Sequence, residues 1–308
     1  MQISRRYLLG ARTGVKMSTL FDLQIDEPAE AYSRLLEDHR ADDRAVLDAL
    51  YARASLYLDA NFKDQFARAT HDRFFELRLA NVLLDHGFEL EKGGEFRPDF
   101  QTRTSDGRKL WIEAVTLSWG QPDNPDRPQP FEKRAMRPSP VREALLRHTG
   151  ALKAKRDKFR VYLDGKVISP DDVCVVAMSS GGLHPNVEGV GLPRVVSAVL
   201  PFGDETVTID RRTGEVVAVS HAFRPEIRNA RDKPVATTAF LDPEQYGLVS
   251  AVLHDTSCIS TWRGDLQPSR WVTVHNPTAT VRASQALFPW GRRFVVDAGR
   301  EHYTLNEL

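Results

Sequence analysis

The sequence has few cysteines, no excess of charge of either sign and no long apolar run. Its two cysteines, Cys174 and Cys258, lie far apart in apolar surroundings, which excludes a disulfide framework and a cysteine-based metal site and indicates a reducing compartment such as the cytoplasm. No apolar run approaches the roughly 18 residues that a membrane-spanning helix needs. Lysine plus arginine (42) balances aspartate plus glutamate (42), which excludes a polybasic nucleic-acid wrapper and an acidic disordered chain. What is present is an ordinary globular composition over 308 residues, with 41% hydrophobic residues.

The order of predicted elements indicates an α/β core. A helix predicted at 66–86 ends at Gly87, which is a typical stop signal. Strands follow at 88–91, 99–104 and 109–117, then a proline-rich surface loop at 122–140, a helix at 141–163 and a buried strand at 173–178. The order is therefore helix, three strands, helix, strand.

The rest of the chain divides into an N-terminal and a C-terminal addition to this core. We predict a flexible N-terminal arm at 1–26, a core with N-terminal helices at 27–182, and a mostly β C-terminal extension packed on the core at 183–308. Within the extension we predict a hairpin from 206–210 and 216–220 and strands at 246–253, 271–275 and 294–297. The extension could provide substrate specificity, a homodimer surface or an effector contact, and the sequence does not choose among them.

Glu76 lies on the inward face of the predicted helix at 66–86. It shares a stripe with Leu79, Ala80 and Leu83 at spacings i, i+3, i+4 and i+7. A carboxylate on such a face costs free energy unless a cation or a hydrogen-bond donor accompanies it. Glu76 is therefore either a boundary residue paired with a nearby arginine or part of a functional site.

Two further carboxylates, Asp99 and Glu113, lie on the predicted hairpin. A two-residue turn would send them to opposite faces of the sheet, whereas a three-residue loop over 105–107 would place them side by side. We predict the three-residue loop, with Gly107 in the left-handed conformation. Adjacent carboxylates repel each other unless a divalent cation lies between them, and hard oxygen ligands of this kind suit Mg²⁺ or Mn²⁺.

An inward helix glutamate, then Pro98-Asp99 at a strand start, then a strand glutamate after a short hairpin resembles the PD-(D/E)XK nuclease superfamily. The resemblance covers 66–178, and it depends on the order and spacing of the motifs together. It implies a restriction-endonuclease-like αβββαβ core. It also implies Asp99 and Glu113 as metal ligands, Glu76 as a further ligand or an organiser of the ligands, and Mg²⁺ or Mn²⁺ as the cofactor.

The sequence departs from the superfamily pattern at Val115, where a lysine is expected two residues after the strand glutamate. That lysine would orient the attacking water and offset the charge that builds on the phosphate. Some members supply it from the following helix. Lys155 shares the inward side of that helix with Leu152 and Phe159, so we predict that it takes this role, whereas Lys153 points to solvent.

The helix that carries Lys155 is also rich in basic residues, as phosphate-backbone binding requires. The alternative is an ordinary solvated helix face. The candidates for nucleic-acid contacts are Arg142, Arg147, Lys153, Arg156 and Lys158.

The resemblance implies a metal-dependent endonuclease that hydrolyses phosphodiester bonds of nucleic acid, with DNA as the expected substrate and no membrane partner. Glu76, Asp99, Glu113 and Lys155 are the expected catalytic residues. The alternative interpretation, which Val115 favours, is a catalytically degenerate nuclease fold that binds nucleic acid or a protein.

Overall fold

The structure, a computed structural model, describes residues 19–92, 96–128, 139–183, 191–262, 270–299 and 302–308. These residues form a mixed α/β fold with an eight-stranded sheet. The helices are α1 Glu30–Leu35, α2 Ala41–Ala54, α3 Phe62–Arg68, α4 Thr70–Asp85, α5 Val141–Asp164, α6 Arg194–Val199 and α7 Pro243–Tyr246. The strands are β1 Glu91–Lys92, β2 Phe100–Arg103, β3 Lys109–Thr116, β4 Val173–Ser179, β5 Phe202–Ile209, β6 Val216–Phe223, β7 Glu226–Arg228, β8 Pro234–Ala236, β9 Ala251–Asp255, β10 Trp271–His275, β11 Arg292–Ala298 and β12 Tyr303–Glu307.

The large sheet runs in the order β1-β2-β3-β4-β9-β10-β11-β12. Strands β2 and β3 form an antiparallel hairpin, β3 and β4 are parallel with α5 between them in the chain, and β4 is parallel to β9. A crossover helix is what a parallel pair requires, because a tight turn cannot return the chain to the same end of the sheet. The C-terminal strands therefore continue the sheet that the first half of the chain begins.

Both faces of the sheet are covered. Alternate residues of β3 enter different apolar clusters: Ile112 packs with the N-terminal helices α2 to α4, whereas Trp111 packs with α5 and α6. All seven residues of β4 are buried, as expected for a central strand covered by helices on both sides. Glu113 lies two residues after Trp111 along β3, so its side chain is on the same face of the sheet, which α5 covers.

The helix predicted at 66–86 is present as α4 and ends before Gly87 as predicted, but it begins later, because residues 66–68 belong to the separate helix α3. The chain leaves helical geometry at Ala69 (φ −132°, ψ 54°), between α3 and α4. Two separate helices allow Phe66 of α3 and Phe74 and Phe75 of α4 all to be buried in one core. No proline or glycine within 66–86 marks the break in the sequence.

The first predicted strand, 88–91, is also shorter than expected. The Phe88 N–H donates to Leu83 O at the end of α4 (3.1 Å), and Glu89 O accepts from the Thr102 hydroxyl (2.8 Å). Because these backbone groups are already bonded, ladder pairing begins only at β1.

Strands predicted at 271–275 and 294–297 and the hairpin β5–β6 are confirmed. The strand predicted at 246–253 begins later, because α7 occupies its start: Asp242 caps that helix by accepting the Gln245 N–H (3.0 Å). The edge strand β12 was not predicted, since its alternation is limited to Tyr303 and Leu305 and most of its residues are exposed.

Residues 19–26, which the sequence assigned to a flexible arm, are packed in part: Leu20 is buried, and Phe21 stacks on Tyr32 with ring centroids 5.5 Å apart. The rest of that arm, 1–18, lies outside the described residues, as does 129–138 of the proline-rich loop. Among the described helices, none is both long and apolar enough to cross a membrane.

Candidate functional site

Asp99 and Glu113 face each other across the β2–β3 hairpin. Phe100 pairs with Ile112 and Arg103 with Lys109, so the register places Asp99, directly before β2, opposite Glu113. The turn closes through the Gly107 N–H to Thr104 O (2.9 Å), and Gly107 has φ 83°. The predicted three-residue loop with a left-handed glycine is therefore confirmed, and with it the pairing of the two carboxylates.

Asp99 is held by the backbone of the neighbouring strand. Its Oδ2 accepts the N–H of Ala114 at 2.6 Å. Burial raises the pKa of Asp99 above its ordinary value, and the negative charge of Glu113 raises it further, while Lys155 and Lys158 oppose the shift. The negative charge of Glu113 thus adds to the effect of burial in making ionisation of Asp99 less favourable.

Glu113 is fully buried and bound by three side chains from α5. Its Oε1 accepts the Tyr162 hydroxyl (2.8 Å), and its Oε2 accepts the Lys155 ammonium (2.6 Å). The Lys158 ammonium lies 3.2 Å from the same Oε2. A buried carboxylate needs such partners, because an unpaired charge in the interior is strongly destabilising.

The lysines of α5 lie where helical spacing predicts. The Lys155 side chain is 14% exposed and reaches Glu113, so its predicted inward direction is confirmed. Lys153 is 64% exposed and pairs with Asp157 at 3.1 Å on the solvent side. Val115 packs against the apolar cluster beneath α5, so no cation comes from that position.

Glu76 lies beside this pair, at the edge of a cavity. Its side chain is 15% exposed and its Oε2 accepts the Arg73 guanidinium at 2.5 Å, which is the arginine pairing considered for this residue. Burial raises its pKa to about 7, and the charge of Asp99 adds to the shift. Glu76 and Asp99 both line a cavity of about 480 Å³, together with Arg97, Asn61 and Gln65.

The donor chemistry at Asp99 and Glu113 fits a small, hard cation. Both groups are carboxylates, they lie on adjacent strands, and their mutual repulsion would be relieved by positive charge. Within the described ranges, no group of three or more His, Cys, Asp or Glu side chains lies close enough to hold a metal ion. Asp99 and Glu113 are thus a two-carboxylate set with Glu76 as a neighbour.

The basic residues of α5 do not form one free cationic face. Arg142 pairs with Glu143 (2.6 Å), and Lys153 with Asp157. Arg156 is only 3% exposed: its guanidinium donates to Asp157 and Gln245 and stacks over Tyr246. Arg156, a candidate for nucleic-acid contacts, is thus buried where α5 packs against α7.

Arg147 and Lys158 occupy different surroundings. Arg147 is half-buried beside Gly120, and Lys158 is 52% exposed with its ammonium near Glu113. The structure thus brings Asp99, Glu113, Lys155 and Lys158 together and distributes the other basic candidates elsewhere.

Tyr162 is the site residue that the sequence did not indicate. An aromatic residue at helical spacing is most often part of the core, and Tyr162 does pack there. Its hydroxyl nevertheless donates to Glu113, and burial together with that carboxylate raises its pKa above the ordinary value. The available signal was its spacing of i+4 and i+7 from Lys158 and Lys155, which places all three on one side of α5.

Comparison with protein family models, with curated proteins and with solved structures finds no match to the chain.

Proposed function

We propose that this protein is a metal-dependent nuclease of the PD-(D/E)XK type, which hydrolyses phosphodiester bonds of nucleic acid, with DNA as its substrate. The observation that carries the proposal is the contact of 2.6 Å between the Lys155 ammonium and Glu113, whose neighbour across the hairpin is Asp99. Two carboxylates and one lysine are the chemical groups that the resemblance requires, and here the lysine comes from α5 instead of position 115.

Asp99 and Glu113 would hold the Mg²⁺ or Mn²⁺ ion. When bound, such an ion supplies Lewis-acid polarisation of a phosphate oxygen and a water of lowered pKa. The chain's own contribution is to hold the two carboxylates in place. The Ala114 N–H fixes Asp99, and the Tyr162 hydroxyl fixes Glu113.

Lys155 and Lys158 supply positive charge where negative charge would develop on the phosphate. Lys155 is mostly buried and Lys158 is half exposed, and their ammonium groups lie 2.6 and 3.2 Å from Glu113 Oε2. This arrangement supports Lys155 as the group that orients the attacking water, with Lys158 as a contact for the phosphate itself.

Glu76 is suited to hold or release a proton near neutral pH, because burial raises its pKa to about 7. It lines the same cavity as Asp99 and Arg97. A substrate phosphate in this cavity would meet the Arg97 side chain as well as Asp99 and Glu76, which supports the cavity as the place of substrate entry.

The proposal is tested by divalent-dependent cleavage of single- and double-stranded DNA and of RNA. Asp99→Asn keeps an acceptor for the Ala114 N–H and removes the repulsion with Glu113, so we expect the variant to fold. Because it also loses a charge that would hold the metal ion, we expect its activity to fall about 100-fold or more. Lys155→Ala is expected to lose activity similarly, whereas Lys153→Ala, its matched control on the solvent side, is expected to retain it.

Full activity in Asp99→Asn would overturn the assignment, and equal loss in both lysine variants would overturn the role of Lys155. A second outcome is informative because Val115 replaces the usual lysine: nucleic-acid binding without cleavage in the unaltered protein would favour a degenerate nuclease fold that acts as a binding module.

A further inference from the structure

A separate cavity of about 360 Å³ lies on the other side of α5 from Glu113. Leu146, Gly150 and Lys153 line it from α5. These positions follow helical spacing and lie on the side opposite Lys155 and Tyr162. The remaining walls come from the loop before α5, from the segment after β7 and from the turn at α7. Its volume is within the range of pockets that hold small organic molecules.

Arg147 lines this cavity and lacks partners for part of its guanidinium. Its Nε and Nη2 are buried and make no hydrogen bond to any described residue. Burial lowers its pKa, and Arg127 adds to that shift, whereas Asp126 opposes it. A buried donor without an acceptor costs free energy, and a desolvated charge costs more. A negative charge bound in the cavity beside Arg147 would offset the cost of its desolvated charge.

The two carboxylates that line the cavity are already engaged. Asp126 accepts the Ala230 N–H at 2.6 Å. Asp242 accepts the backbone N–H of Gln245 at 3.0 Å and its side-chain amide at 2.8 Å. Asp126 thus joins its loop to the segment after β7, Asp242 caps α7, and neither forms an ion pair with Arg147. The charge of Asp126 acts on Arg147, but no described residue accepts a hydrogen bond from its Nε or Nη2.

The rest of the lining is suited to an organic body. Leu146, Val235 and Ala239 provide apolar surface, and Tyr246 provides an aromatic ring whose neighbour on one side is Arg156, 4.7 Å from its centroid. Pockets that combine apolar and aromatic walls with a few polar groups typically bind small molecules.

We propose that this cavity binds a small organic oxyanion, a carboxylate or a phosphate monoester, with its charged group on Arg147. A guanidinium can donate hydrogen bonds to either group, since both present oxygen acceptors to its planar N–H donors. The site lies apart from Asp99 and Glu113, so the proposal does not rest on the nuclease assignment.

Calorimetric titration of the full chain in EDTA, with adenosine monophosphate, benzoate and inorganic phosphate as probes, tests this proposal. EDTA removes any contribution of a metal at the carboxylate pair. We expect one saturable site for adenosine monophosphate or benzoate, and the probe that binds identifies the anionic group. Inorganic phosphate should bind more weakly because it lacks the organic body.

Arg147→Gln is expected to weaken binding about tenfold or more. Arg142→Gln is the control, because Arg142 lies on the same helix, pairs with Glu143 and does not line the cavity.

A second variant tests the cavity without touching the charge. Gly150 lies within α5, and a Cβ added there would meet nothing within 4 Å, so Gly150→Leu can extend into the cavity without backbone strain. Leucine also favours a helix more than glycine does, so this variant should be at least as stable as the unaltered protein and should still fail to bind. Absence of saturable binding of all three probes at millimolar concentration, or unchanged affinity in Arg147→Gln, would overturn the proposal.

Discussion

Glu113 and Glu76 show how differently two buried glutamates can be accommodated in one protein. Glu113 accepts from a tyrosine and a lysine and has a second lysine nearby, so its charge is compensated on both oxygens. Glu76 has a single arginine, and the charge of Asp99 acts against it. The first arrangement holds Glu113 in one position, whereas the second leaves Glu76 with a pKa of about 7, so that it can exchange a proton near neutrality.

This difference predicts a pH dependence of stability. Because the pKa of Glu76 rises from its ordinary 4.5 to about 7 on folding, the folded protein retains a proton that the unfolded chain has released between these values. The stabilisation is fully present below pH 4.5 and is lost as the pH rises through 7. Relative to Glu76→Gln, the unaltered protein should lose about 3 kcal/mol of unfolding free energy between pH 4.5 and pH 8.

Urea unfolding of both proteins across this pH range is the measurement. The difference in free energy between them isolates Glu76, since the other titrating groups are common to both. A difference that does not change with pH would contradict the shift assigned to Glu76.

Some site residues could be predicted from the sequence and others could not. Asp99, Glu113 and Lys155 were predictable because a three-residue turn and helical spacing determine where their side chains point. Tyr162 was not, because its body packs like any core aromatic residue and only its hydroxyl contacts the site. The burial of Arg156 could not be predicted either, since α7, which it contacts, is distant in sequence.

Among the elements, the β2–β3 hairpin has the greatest effect on the site, because its loop length alone decides whether Asp99 and Glu113 share a face. Gly107, with φ 83°, makes the three-residue loop possible. Glycine adopts this conformation without the steric cost that a Cβ brings.

Two glycine-to-alanine changes should therefore have opposite effects. Gly107→Ala is expected to destabilise the protein by about 1 kcal/mol, because alanine is strained at positive φ. Gly150→Ala is expected to stabilise it by up to about 1 kcal/mol, because Gly150 is exposed within α5 and has open space around it. Thermal unfolding of both variants checks the pair. A Gly107→Ala variant that is at least as stable as Gly150→Ala would contradict the account of the turn.

Elements with a clear local pattern, such as α5, β4 and β10, were predicted closely. The break between α3 and α4 was not, because burial of phenylalanines on both helices determines it and no breaking residue marks it. Strand β12 was not predicted either. It is an exposed edge strand, and its pairing with β11 determines its conformation more than its own residues do.

In the whole molecule, the C-terminal extension completes the sheet. Strand β9 pairs with β4 along five residues, and β10, β11 and β12 follow it outward. Residues of β9 and β10 belong to both apolar clusters, so the core on each face of the sheet depends on them.

A chain that ends at residue 183 should consequently fail to unfold cooperatively. It would expose the edge of β4, which is buried along its full length, and remove the apolar residues of β9 and β10 from both clusters. A chain that ends at residue 299, which lacks only the edge strand β12, should still unfold cooperatively. Circular dichroism during heating distinguishes the two, and a cooperative transition in the shorter chain would contradict this dependence.

The most direct test of the proposed site is the binding of Mn²⁺ to the unaltered protein and to Asp99→Asn, followed by electron paramagnetic resonance. Asp99→Asn keeps the hydrogen bond to Ala114 and changes one charged ligand to a neutral one. The proposal predicts one tightly bound Mn²⁺ per unaltered chain and its loss in the variant. No specific Mn²⁺ binding to the unaltered protein, or equal binding to both, would contradict it.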